Sequence, residues 1–196
     1  NEDIYELVFD NNPELTDLSV LKTYSSSLGI LSFDNCGVAD LSFVNTFGNL
    51  VTLSAINNGI TDVSALSYCV NLENLYLSKN KISNLDSVKI LTNLKILDIS
   101  SNQLVDLKAL EGMIYLSELH ASGNKIKELS GLKNVTQLGV VDLSNNEISD
   151  VSILAKSSLK LKSINISNNK ISDISSLAVC NFLTEFVADN NELTDI

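Results

Sequence analysis

Arginine is missing altogether from this 196-residue chain, and proline occurs once, as Pro13. The 13 cations, all lysines, stand against 24 acids for a net charge of −11. Phosphate backbones require clustered Lys and Arg, so no nucleic-acid partner is expected. No apolar run reaches the roughly 18 residues that cross a bilayer, so no membrane insertion is expected either. The opening Asn1-Glu2-Asp3-Ile4 is acidic and already patterned like the rest of the chain, unlike a signal peptide. Cysteine is scarce and odd in number: Cys36, Cys69 and Cys180. All three read as small buried apolar side chains, which favours a reducing compartment. The charge is uneven. Residues 1–78 hold ten acids against Lys22, residues 79–170 twelve lysines against nine acids, and residues 171–196 five acids and no lysine.

What the chain has in abundance is leucine at a fixed rhythm. The pattern L-x-x-L-x-L-x-x-N-x-L recurs, clearest as Leu72-Leu75-Leu77-Asn80-Ile82, Leu94-Leu97-Ile99-Asn102-Leu104 and Leu116-Leu119-Ala121-Asn124-Ile126. Its nine copies start at Ile4, Leu28, Leu50, Leu72, Leu94, Leu116, Leu138, Leu161 and Leu183, spaced by 22 residues except for 24 at the first and 23 at the seventh. The first extension includes Pro13 and Thr23–Ser27, and the second lies in Ala155–Lys160. Such a period marks stacked coils. Counted from the first leucine, positions 1, 4, 6 and 11 point inward, and the alternation over positions 3 to 6 predicts a short strand. The expected fold is an α/β solenoid, a right-handed leucine-rich-repeat horseshoe. A parallel β-sheet lines its concave face, and short 3₁₀, helical or irregular segments cover the convex face. About nine coils form one domain over 1–196. Both ends lack a polar cap, so a longer parent chain is expected. Cys69 and Cys180 lie five coils apart at ~4.8 Å per coil, too far to bridge.

Two polar columns have structural explanations. Position 9 reads Asn12, Cys36, Asn58, Asn80, Asn102, Asn124, Asn146, Asn169 and Asn191. An amide there supplies donors and acceptors to backbone groups stranded where the strand turns away. The sequons Asn134-Val135-Thr136 and Asn165-Ile166-Ser167 follow from composition alone. Position 13 reads Asp17, Asp40, Asp62, Asn84, Asp106, Glu128, Asp150, Asp173 and Asp195, placed to cap the turn that begins the convex segment. Eight of the 24 acids sit in that column, so a third of the negative charge reflects capping rather than a basic partner.

The spacing L-x-x-L-x-L-x-x-N-x-I-x-D-L-S-x-L resembles the 22-residue leucine-rich-repeat class over essentially the whole chain. That class includes the regulatory subunit of protein phosphatase 1, the axonemal dynein light chain, centriolin-type spindle-pole scaffolds and bacterial internalins. The resemblance implies the solenoid and a partner held on its concave face, and its members bind unrelated partners; no cofactor is expected. Internalins usually have Pro soon after the Asp-Ile pair. Here Ser or Ala stands instead, and the three thiols are a second departure.

Outward strand positions 3, 5 and 7 carry no evident duty in the repeat, so function is expected there. At position 5, Tyr76, Asp98, His120 and Asp142, continued by Asn165, should form one row, flanked at position 3 by Ile96, Glu118 and Val140. An aromatic anchor among aliphatics and carboxylates suits a protein or peptide partner, one bearing Lys or Arg. His120 between Asp98 and Asp142 reads as a pH-sensitive contact. No metal and no catalysis are expected, because an open face lacks enclosure and an oxyanion site, and its serines follow the repeat. The expected role is an intracellular scaffold or adaptor, cytoplasmic and cytoskeleton-associated. The alternatives are a secreted or surface-exposed internalin-type adhesin and a phosphatase regulatory subunit.

Overall fold

The computed structural model describes residues 4–157 and 159–195; the acidic start Asn1-Glu2-Asp3, Ser158 in the second extension and the terminal Ile196 lie outside the described residues. Among the described residues, nine strands form one parallel sheet in chain order. They are β1 (Glu6–Val8), β2 (Ile30–Ser32), β3 (Thr52–Ser54), β4 (Asn74–Tyr76), β5 (Ile96–Asp98), β6 (Glu118–His120), β7 (Val140–Asp142), β8 (Ser163–Asn165) and β9 (Glu185–Val187). The register follows the repeat: Leu53 pairs with Leu75, Leu75 with Leu97 and Leu97 with Leu119. All four of these leucines are fully buried. Stacked leucines of this kind each contribute roughly 1.5–3 kcal/mol when withdrawn from water. In the second coil a run of aromatic rings, Phe33, Phe43 and Phe47, fills the same space with centroids 6.0 Å apart at each step.

The strands are short because position 8 turns the chain away. Every coil has a positive φ there: Asn11, Asn35, Asn57, Asn145, Asn168 and Asn190, with Lys79, Ser101 and Gly123 in the remaining three. Asparagine tolerates this left-handed backbone better than other non-glycine residues. The sequence carries the signal in the Asn-Asn pairs that join positions 8 and 9. Next to this turn the buried ladder forms as expected. Asn80 Oδ1 accepts from Ile60 N and Asn58 N, both at 3.0 Å, and its Nδ2 donates to Ala55 O and Leu77 O, both at 2.9 Å. Cys36 fills one rung with a thiol, Sγ donating to Phe9 O at 3.2 Å.

Each chain return crosses the convex side mostly as a 3₁₀ turn, such as Ser42–Thr46, Ser64–Tyr68 and Asp86–Ile90. Position 13 holds the first N–H of the turn: Ser42 N donates to Asp40 Oδ1 at 2.7 Å, Ser64 N to Asp62 Oδ1 at 2.8 Å and Asp86 N to Asn84 Oδ1 at 2.6 Å. Glu128, with a longer side chain, makes no such bond among the described residues; its backbone instead bridges that of Asp106. The seventh coil accommodates its extra residue by forming an α-helix, α1 (Ser152–Ser157), in place of the 3₁₀ turn. The thiols are buried as expected. Cys69 packs in the column of Phe47, Leu91, Met113 and Val135, and burial pushes its thiol up to about 12.

Candidate partner surface on the sheet

Parallel pairing places the predicted row side by side: Tyr76 opposite Asp98, Asp98 opposite His120, His120 opposite Asp142 and Asp142 opposite Asn165. Ile96, Glu118 and Val140 pair in the same way two residues earlier on their strands. All eight side chains are half-buried, so they offer area while remaining reachable. Burial, then the charges of Glu118 and Asp98, raises the Tyr76 phenol above its ordinary value. The ring stays neutral at physiological pH, with its hydroxyl available as a donor among carboxylates.

The side chains of this row differ from expectation in two respects. His120 engages neither Asp98 nor Asp142. Its Nε2 lies 2.7 Å from Glu118 Oε1, two residues back on its own strand. The two aspartates are already occupied: Asp98 Oδ1 accepts from Ser100 N at 2.9 Å and Asp142 Oδ1 from Ser144 N at 3.0 Å. Asn165 Oδ1 does the same for Ser167 N at 3.1 Å. Position 5 therefore has a structural duty after all, closing a local turn at the strand end. In the first coils position 7 takes over: Asp10 Oδ1 accepts from Ser32 Oγ at 2.6 Å and Asp34 N at 2.8 Å, and Asp34 repeats this with Ser54 and Ile56.

A further property of the face follows from its composition. Positions 3, 5 and 7 of all nine coils hold Glu6, Asp10, Asp34, Asp98, Glu118, Asp142, Glu185 and Asp189, but none of the 13 lysines. The lysines lie on the turns at either edge and on the convex side. Some pair there, as Lys95 with Glu73 at 2.7 Å and Lys170 with Glu147 at 3.1 Å. Among the described residues no group of three or more His, Cys, Asp or Glu is placed to hold a metal ion. A depression of about 600 Å³ lies on the convex side between Asp40, Asp62 and Tyr68, away from this row.

Leucine-rich-repeat family models match residues 48–90, 70–112, 116–156 and 160–182. The chain belongs to the leucine-rich-repeat family, whose solenoids serve as protein–protein interaction modules. An internalin (inlF) from Listeria monocytogenes superimposes with a TM-score of 0.95 at 29% identity, over 98% of this chain and 57% of that one. Internalin C2 from the same organism gives 0.86 at 31% identity, over 89% and 77%. The functional domain of its InlJ, which includes a cysteine ladder, gives 0.78 at 26% identity, over 98% and 46%. This chain thus spans little more than half of the first of these structures. No curated protein matches the sequence. Among the described residues no helix is long and apolar enough to cross a membrane.

Proposed function

We propose that this solenoid grips a partner protein through its sheet face, and that the partner presents Lys or Arg in an extended segment. The single observation that carries this reading is the face itself: eight carboxylates and no lysine, with Tyr76, Ile96 and Val140 as apolar contacts at its centre. A chain with 13 lysines distributes none of them there, although lysines flank the sheet on both sides. Electrostatic complementarity of this kind steers a cationic partner and sets its register, while the aromatic anchor supplies the buried contact. The test is capture of lysine-bearing partners by wild type and by Tyr76→Ala/Asp98→Asn/Asp142→Asn. Loss of capture with an unchanged thermal midpoint is expected; undiminished capture of every partner overturns the reading.

Two settings divide on separate observations. The likeness to internalins at 29% and 31% identity favours a secreted or surface-exposed adhesin. The three buried, unpaired thiols favour an intracellular scaffold or adaptor, the setting expected from the sequence. The thiols do not set the chain against internalins, since InlJ carries a cysteine ladder of its own. Surface proteolysis of intact cells producing the native protein separates the two: cleavage from outside supports the adhesin, protection the scaffold. A phosphatase regulatory subunit would differ by changing an enzyme's turnover, and no residue here favours it.

A further inference from the structure

The turns that lead into β6 to β9 form a rim along one edge of the sheet, and its chemistry is the opposite of the face. Large apolar side chains stand in water there: Ile114 is 49% exposed, Tyr115 55%, Leu159 59% and Phe182 64%. The same four turns carry Lys133, Lys160 and Lys162 against one acid, Glu111. All three lysines are exposed. Repeat register places Tyr115, Gln137, Lys160 and Phe182 at one position of successive coils, and Lys160 Nζ donates to Gln137 Oε1 at 2.6 Å, which fixes the order of that row. Ile114 and Tyr115 border a depression that reaches Thr136 and Gln137. At ~4.8 Å per coil the row is straight and roughly 15 Å long.

We propose that this rim docks on a bilayer surface containing anionic lipid, with Ile114, Tyr115, Leu159 and Phe182 at the headgroup boundary and the three lysines over the phosphates. Aromatic and aliphatic tips interleaved with lysine are the side chains that settle in that interface. A partner adding as a further strand would need an unpaired backbone edge. The rim's backbone is already bonded coil to coil, as Ser117 N to Lys95 O at 2.9 Å and Thr184 N to Lys162 O at 2.8 Å. What it offers outward is ammonium groups and apolar tips. Glu73 borders the rim and is paired there with Lys95 at 2.7 Å, and the repulsion of more distant acids is screened beyond ~8 Å at physiological salt. This surface is separate from the one assigned to the partner protein.

The test is co-sedimentation of the purified chain with vesicles of pure phosphatidylcholine or of phosphatidylcholine with about one third phosphatidylglycerol. Binding to the anionic vesicles should exceed binding to neutral ones by about tenfold and fall as salt rises. Lys133→Gln/Lys160→Gln/Lys162→Gln should abolish that preference, and Tyr115→Ser/Phe182→Ser should weaken binding to both compositions. Lys81→Gln/Lys125→Gln, on the opposite edge, should leave it intact, as should Asp98→Asn/Asp142→Asn on the face. Equal sedimentation with both compositions, or an unchanged preference in the three-lysine variant, overturns the proposal. So does binding of an acidic, leucine-bearing peptide without any binding to vesicles, which would assign the rim to a protein instead. All substitutions are at exposed or half-exposed positions, and circular dichroism confirms that each variant is folded.

Discussion

His120 and Glu118 form a pair along one strand, Nε2 to Oε1 at 2.7 Å, so the only histidine of the chain turns away from the aspartates on both neighbouring coils. Asp98 and Asp142 consequently present to a partner only the oxygens left over from their bonds to Ser100 and Ser144. Their charge and their turn-closing role can be separated. Asn165 already closes the same turn with an amide.

Asp98→Asn and Asp142→Asn should therefore leave the thermal midpoint within a degree or so of wild type. Each should weaken binding of a lysine-bearing partner by about 5- to 10-fold, the scale of one interfacial charge pair, and the effect should shrink in high salt. Asp98→Ala removes the acceptor as well, and should cost about 1 kcal/mol of stability in addition. Titration calorimetry and thermal unfolding on the same preparations check both. Equal stability of the Asn and Ala variants would remove position 5 from the turn.

Acid should loosen the convex side first. The backbone N–H of Ser19, Ser152 and Ser175, and then the hydroxyls of the same serines, hold the carboxyls of Asp17, Asp150 and Asp173 below the usual carboxylate range. A carboxylate with a depressed folded pKa adds stability above its unfolded value of roughly 3.9, and that contribution disappears as pH falls through the folded value. The midpoint should thus be level from about pH 7 to 5 and fall below about pH 4. Asp150→Asn, imitating Asn84, should flatten part of that fall. A midpoint that drops equally in both proteins would disprove the assignment.

Asn146 donates to Ala121 O, Leu143 O and Ser144 O and accepts from Ile126 N, all within the buried ladder. Asn146→Ala would strand these groups out of reach of water, at a cost of about 3 kcal/mol in urea unfolding. Asn146→Cys should cost less, because a thiol already fills the rung at Cys36. If the alanine and cysteine variants were equally unstable, the thiol at Cys36 would be no substitute for the amide.

Lys79 and Ser101 occupy the left-handed turn that six other coils give to asparagine, at φ of 57° and 54°. Lys79→Asn and Ser101→Asn should each stabilise the chain by about 0.5 kcal/mol, and Asn57→Val should destabilise it by more than about 1 kcal/mol, since a β-branched residue is strained there. Urea midpoints give all three. A neutral Asn57→Val would mean that the turn can relax.

The fold is legible in the sequence because a solenoid writes its geometry into one-dimensional spacing. The leucines at positions 1, 4 and 6 name the core, and a constant period alone carries Tyr76, Asp98, His120 and Asp142 into one row. Spacing specifies which side of the sheet a residue faces, but says nothing of side-chain torsions. Whether His120 reaches across to Asp98 or back to Glu118, and whether Asp142 meets solvent or Ser144 N, depends on a choice of rotamer. The left-handed column is a different case. Its Asn-Asn pairs are visible in the sequence, yet the ladder at position 9 accounts for asparagine so fully that the preceding residue's own role in the turn is masked.

The seventh coil is one residue longer than its neighbours, yet Val140 still pairs with Ser163 and Asp142 with Asn165 across it. The surplus falls on the return segment, where α1 on the outer wall replaces the 3₁₀ turn. Addresses on the sheet are thus insulated from changes in length elsewhere in the coil. Tags, spectroscopic reporters or longer loops can be placed in the outer wall without reshuffling the row, and the row can be rewritten residue by residue without disturbing the outer wall.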